Sequence, residues 1–253
     1  MIQWVTHPSI GIPLYKSLWK IIDFVFPPAC VGCGKIGEMM CSDCVNQIKK
    51  IESINENTQP SKSLNLSEFS NFRYLNDIYS FAYYTQPISL AIKKLKYKRD
   101  IGISNLLAKF LVELYNKNKM DIDMVIPVPL NKNKIKERGY NQSFFLALPF
   151  SMTIQKPINK QSLRRLKDTK SQVGLNRHER FSNVSDAFCA DPAQIDGKNI
   201  CLIDDVATTG ATMEACASAL KSAGAKDIVG LTVARALPTN YGFSDHEIGT
   251  NSA

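Results

Sequence analysis

The 253-residue sequence predicts an α/β fold: a parallel sheet flanked by helices, with a small N-terminal four-cysteine module. Three observations carry that prediction. Apolar stretches of strand length alternate with helical ones, most clearly in "NICLIDDV", "TMEACASALKSAGA" and "DIVGLTVARAL". Strand–helix–strand order with apolar strands builds a parallel sheet covered by helices. Finally, four of the seven cysteines crowd into "CVGCGKIGEMMCSDC", as Cys30, Cys33, Cys41 and Cys44. A composition of 44% hydrophobic and 21% charged residues suits one sizeable core with a small appendage.

From the N-terminus, residues 14–25 read as a short amphipathic helix with Leu14, Leu18, Ile21, Ile22 and Val25 on one face. Lys16, Lys20 and Asp23 interrupt its apolar residues, and no basic n-region or small-residue cleavage site accompanies it. No apolar run reaches the roughly 18 residues of a membrane span. A cytoplasmic protein without membrane insertion is expected. In the cysteine module, two C-x-x-C turns separated by seven residues offer four thiolates to one tetrahedral ion. That is the spacing of a structural zinc site, closed to catalysis. Paired disulfides are the competing reading, and a cytosolic setting argues against them. The module is expected to be an appendage whose loss leaves the main domain folded.

Residues 51–72 are polar and rich in Ser and Asn, which predicts a linker between the 1–50 module and a main domain over 73–238. The main domain opens with a β-prone segment and a helix carrying Lys93, Lys94, Lys96, Lys98 and Arg99. A second helix follows through Leu106, Leu107, Phe110, Leu111 and Leu114, then a short buried strand in "DMVIPVPL". "NKNKIKERGYNQSFFLALPF" reads as a basic loop leading into a helix, and 156–187 as a long mobile excursion. Cys189, Cys201 and Cys216 read as core fillers, and 239–253 as a disordered tail.

The net charge of +8 is unevenly spread, with 20 Lys/Arg against 7 Asp/Glu in residues 92–180. Such a surplus points to an anionic partner, either phosphates or nucleic acid, and a solvated basic face is the plain alternative. Lys93, Lys94, Lys96, Lys98 and Arg99, with Tyr97 among them as a stacking platform, form the candidate surface for single-stranded nucleic acid.

The remaining chemistry lies in "ICLIDDVATTGATMEA". Ligands of parallel sheets bind at the carboxyl ends of strands, where Asp204 and Asp205 fall. The small residues that follow let backbone N–H groups approach a phosphate at a helix N-terminus, and Thr208, Thr209 and Thr212 add hydroxyls. The carboxylates suit vicinal hydroxyls, or a divalent cation between hydroxyls and a pyrophosphate. Together these describe a ribose 5-phosphate site. A Walker B strand looks similar but requires a G-x-x-x-x-G-K-[ST] loop, and a dinucleotide fold requires an early G-x-G-x-x-G; the sequence has neither.

"CLIDDVATTGAT" resembles the phosphoribosyl diphosphate (PRPP) motif of the type I phosphoribosyltransferases. "FPPACVGCG…CSDC", "VIPVPL…RGYNQ" and "LRRLKDTKSQVGLNRHERFSNVSDAF" narrow the resemblance to the ComF family, over residues 20–237. The resemblance implies a type I phosphoribosyltransferase fold with an N-terminal zinc module, and a part in DNA uptake or single-strand handling during natural competence, among other competence proteins. It implies PRPP with Mg2+ as ligand. Asp204 and Asp205 would bind the ribose hydroxyls, and Ala207, Thr208, Thr209, Gly210, Ala211 and Thr212 the 5-phosphate. Val128, in the Pro127–Leu130 turn, and Arg138 would lie by the diphosphate. A flexible loop over 164–183 would close with Arg164, Arg165, Lys170 and Arg180, Arg164 joining the two acids as a catalytic candidate. Thr208 stands where hypoxanthine–guanine enzymes carry Asp, which disfavours a purine acceptor. The alternative is a metabolic phosphoribosyltransferase with an unidentified acceptor.

Overall fold

The structure is a computed structural model and describes residues 27–51, 72–166 and 187–236. The expected helix at 14–25, nearly all of the 51–72 linker, most of the 164–183 loop with Lys170 and Arg180, and the 239–253 tail lie outside these residues.

The main domain is built on four parallel strands, β1 (Asp77–Tyr83), β2 (Met124–Pro127), β5 (Asn199–Ala207) and β6 (Asp227–Arg235), in the order β1-β6-β5-β2. Register runs through Tyr79 opposite Leu231, Ile203 opposite Leu231 and Ile126 opposite Leu202. Side chains alternate across the sheet, so β5 places Cys201 and Ile203 in one buried cluster and Ile200 and Leu202 in the other. Burial on both faces explains why β5 reads as a continuous apolar run.

On the first face lie α2 (Ile88–Tyr97), α3 (Ile103–Lys117) and α5 (Gln142–Ile154). In α2 the buried residues Ile88, Ala91, Ile92 and Leu95 repeat at helical spacing. The second face is covered by α7 (Ala211–Ser222) and by an antiparallel pair, β3 (Leu163–Arg165) and β4 (Phe188–Ala190), with the short α6 (Pro192–Ile195) between β4 and β5. Residues 163–165 and 187–190 are therefore ordered structure at the margins of the expected excursion. The segment between them, 167–186, lies outside the described residues.

Two expectations are corrected here. The "NKNKIKERG" stretch is a helix, α4 (Lys132–Arg138), rather than a loop. Asn131 caps its start by accepting the Asn133 N–H at 2.7 Å, and Gly139 ends it at φ 86°, a backbone that favours glycine. Of the three scattered cysteines, Cys201 and Cys216 are buried, but Cys189 is exposed on β4.

The cysteine module, with α1 (Ser42–Asn46), is not an appendage. Cys30, Cys41, Cys44 and Ile48 belong to the same buried cluster as Phe81, Ile88, Leu95 and Leu111 of the main domain. Its exit runs antiparallel to β1, with the Ile51 N–H donating to the Phe81 carbonyl (3.0 Å) and the Tyr83 N–H to the Lys49 carbonyl (2.9 Å). The module extends the sheet and shares its core.

Candidate functional site

The acid pair sits near the C-terminal end of β5, as the sequence predicts. The two carboxylates alternate across the strand and meet different neighbours. Asp204 Oδ1 accepts the Ser143 hydroxyl at 2.7 Å and the Asp205 N–H at 2.9 Å. Asp205 Oδ2 lies 2.5 Å from Lys96 Nζ, and its Oδ1 lies 3.5 Å from Gln142 Nε2. Asn141 caps α5 and donates from Nδ2 to the Val128 carbonyl, which holds Gln142 and Ser143 at the acids.

These environments drive the two acids apart. Burial, then the charge of Asp205, raises the Asp204 carboxyl from 3.8 to about 7. Burial would raise Asp205 too, but the Lys96 ammonium outweighs it and holds that carboxyl below its ordinary value. Lys96 in turn is kept above its ordinary value, because Asp205 outweighs the burial that would lower it. Near neutral pH the free site thus holds one firmly ionised acid and one half-protonated acid.

Above about pH 4 an unfolded chain has released the Asp204 proton, while the folded site retains it until about pH 7. Stability contributed by this group therefore falls as pH rises through that window. Thermal unfolding between pH 5 and pH 8 is expected to show a declining Tm that flattens in Asp204→Asn. An identical slope in the variant would contradict the assignment.

The loop after the acids is shaped by Gly210. It has φ 75°, and a Cβ there would lie 2.7 Å from Phe72 Cζ and 2.8 Å from Ile78 Cδ1. Only glycine meets both demands. Thr208 is exposed and Thr209 and Thr212 are half-buried around the start of α7, with Ala207 and Ala211 packed beneath. Glu214, in the first turn of α7, is not a ligand group: it accepts the backbone N–H groups of Arg73, Tyr74 and Leu75 and anchors the segment leading into β1.

Several cations converge on the acids. Arg138 is 9% exposed, and its Nη1 donates to Gln142 Oε1 at 3.0 Å. Its guanidinium lies over the Tyr97 ring, 5.1 Å from the centroid. Its Nε is buried without a hydrogen-bond partner, and among the described residues no carboxylate lies within 4.0 Å of its nitrogens. Lys134, on the same helix, is lowered from its ordinary value by burial and by the charges of Arg138, Lys96 and Arg165.

Other sequence-nominated residues fare differently. Val128 is buried with its N–H bonded to the Ile203 carbonyl at 2.9 Å and its carbonyl to Asn141, so neither backbone group is open to a ligand. Arg164 is exposed and bonds the nearby Gln161 carbonyl, whereas Arg165, on the opposite side of β3, adds its charge to the cluster. Lys96 leaves the proposed nucleic-acid patch altogether. Its side chain is 18% exposed and turned inward to Asp205. Gln142, Ser143 and Lys134 escaped the residue-by-residue reading, although "RGYNQ" already pointed to this stretch.

In the cysteine module the four Sγ atoms lie within 4.8 Å of one another, with Cys30–Cys41 at 3.7 Å and Cys33–Cys41 at 3.6 Å. A tetrahedral ion with bonds of about 2.3 Å to sulfur spaces its ligands by roughly 3.8 Å. The cluster can hold one metal ion, and its all-thiolate chemistry suits zinc. A Cβ on Gly32 would lie 2.6 Å from Cys44 Sγ, so the first turn needs glycine for this close approach. No helix of the described residues is long and apolar enough to cross a membrane.

Residues 155–247 match the phosphoribosyl transferase domain family. The chain is 29% identical over 161 residues to competence protein F of Haemophilus influenzae, covering 61% of this chain and 70% of that protein. It is 30% identical over 150 residues to the DNA utilization protein YhgH of Escherichia coli O157:H7, covering 57% of this chain and 66% of that protein. Against competence protein ComFC of Bacillus subtilis the identity is 30%, over 56% of each chain.

Proposed function

We propose that this chain, a homologue of the competence proteins F and ComFC that carries a type I phosphoribosyltransferase domain, binds PRPP. The observation that carries the reading is Arg138, a buried cation without a carboxylate partner among the described residues, joined through Gln142 to the acid pair. Lys134 adds its charge beside Arg138 and Lys96 around one ionised carboxylate, an arrangement that suits a polyanion. The parallel strand ending in two acids, with a glycine-shaped turn into α7, suits a ribose bearing a 5-phosphate.

In this reading Asp204 and Asp205 accept the ribose hydroxyls, and the backbone of Ala207 to Thr212 meets the 5-phosphate. Arg138, Lys134 and Arg165 face the diphosphate, and of the two neighbouring arginines expected there Arg165 is kept and exposed Arg164 is not. Magnesium bound to the diphosphate would neutralise part of its charge, and Asp204 and Asp205 would orient it. In this reading the protein acts in DNA uptake or use, the role that the names of its relatives carry. The cytoplasmic setting and single-strand handling implied by the family resemblance belong to the same proposal. Lys93, Lys94, Lys98 and Arg99, without Lys96, remain the surface for a nucleic-acid backbone.

PRPP with Mg2+ is expected to raise the Tm, because a ligand of the folded state alone stabilises it by mass action. Asp205→Asn should reduce that shift, since an amide accepts hydroxyl hydrogen bonds less strongly than a carboxylate. An unreduced shift would place the ligand elsewhere.

A further inference from the structure

Lys96 has no part in the proposed phosphosugar site, yet it occupies the carboxylate that a cation-bound phosphosugar would use. Lys96 lies four residues after Ile92 and eight after Ile88, so it continues the buried edge of α2 toward the acids. The Tyr140 hydroxyl donates to the Leu95 carbonyl and pins this end of the helix over α5. The ammonium is then held 2.5 Å from Asp205 Oδ2, an oxygen with no hydrogen-bond partner among the described residues besides this ionic contact. Asp204, Tyr84, Lys134 and Arg138 are the other titratable groups around the pair.

A buried ammonium on one carboxylate oxygen does electrostatically what a divalent cation would do there. Held against the same carboxylate, the two positive charges repel, so a divalent ion at Oδ2 competes with the ammonium. A buried carboxylate that loses its contacting cation is left poorly compensated at high cost, so departure of the ammonium is favoured when another cation takes its place. A flexible four-carbon stem lets Lys96 leave without unfolding α2.

We infer that Lys96 is a tethered counter-ion of the acid pair: it neutralises Asp205 in the free protein, and a divalent cation reaches that carboxylate by displacing it. Lys96 is on this account a positioning residue that sets how tightly the pair takes a bare cation. It keeps the free site from filling with a metal ion before the phosphosugar arrives. The inference rests on the reading of Asp204 and Asp205 as the acids of the PRPP site, but its test uses no PRPP.

Mn2+ alone serves as the probe, with the free aqueous ion followed by electron paramagnetic resonance on the full chain. Lys96→Met is expected to bind Mn2+ at least roughly tenfold more tightly than the parent, because the competing charge is gone. Lys96→Arg should behave as the parent, and adding Asp205→Asn to Lys96→Met should abolish the gain. A Lys96→Met protein that binds Mn2+ no more tightly than the parent, or that keeps its gain without Asp205, overturns the inference.

If Lys96→Met does not fold, amine labelling of the parent decides the matter. Lys96 should label more slowly than exposed Lys98, and Mn2+ at millimolar levels should speed Lys96 alone. Unchanged labelling of Lys96 overturns the inference. A failed Mn2+ test beside an intact PRPP-induced Tm shift removes only the counter-ion role. A missing PRPP shift beside a successful Mn2+ test removes only the phosphosugar reading.

Discussion

Arg138→Met is expected to weaken PRPP binding by roughly 100-fold while leaving the free protein as stable as before, or more so. The two effects separate because Arg138 does opposite things in the two states. In the free protein it is a buried guanidinium with a neutral partner, Gln142, a ring contact to Tyr97, and an unpartnered Nε. Desolvating such a charge is costly, and Met fills similar volume without that cost. In the complex the same charge would meet the diphosphate with its own desolvation already incurred by burial, where an ionic hydrogen bond is strong. Titration calorimetry and thermal unfolding of the same preparations check both halves. A variant that unfolds many degrees earlier but binds PRPP normally would make Arg138 a structural residue.

Cys41→Ser is expected to abolish metal binding by the cysteine cluster and to lower the single unfolding transition of the whole chain by roughly 10 °C or more. The sequence suggested a detachable module, but the structure places Cys30, Cys41 and Cys44 in the core that also holds Phe81, Ile88 and Leu95. Residues 49–51 pair with β1, so loosening the knuckles frees an edge of the main sheet. The loss should also reach α2, because Gly32 lies close to Pro87 at its start, where an added Cβ would stand 3.4 Å from Pro87 Cβ. Metal analysis and scanning calorimetry would show this. Two separate transitions, the larger one unmoved, would restore the module to an appendage.

The strands and the acid pair were legible because burial on both faces of a parallel sheet leaves a plain apolar run, and nothing else in the chain ends such a run with two acids. The cysteine spacing was legible for a similar reason: ligand geometry is local. What the sequence hid was local charge read without its partners. Lys96 looked like one of five exposed cations, although its spacing from Ile88 and Ile92 already set it on the inward edge of α2. Asn131 and Gly139 are ordinary helix signals, but the density of lysines between them suggested a loop. Arg164 and Arg165 could not be told apart without knowing which face of β3 is covered. That depends on Phe188 and α7, far along the chain.

One phosphosugar site is proposed to lie between the acid pair, the Gly210 turn and the Arg138 cluster. A calorimetric titration of PRPP into the full chain with Mg2+ tests it most directly. Saturable binding of one PRPP per chain is predicted, abolished when Asp204 and Asp205 are both replaced by Asn, and much weaker when ribose 5-phosphate or pyrophosphate alone is supplied. Absence of binding to the parent chain, or binding that survives the loss of both acids, would contradict it.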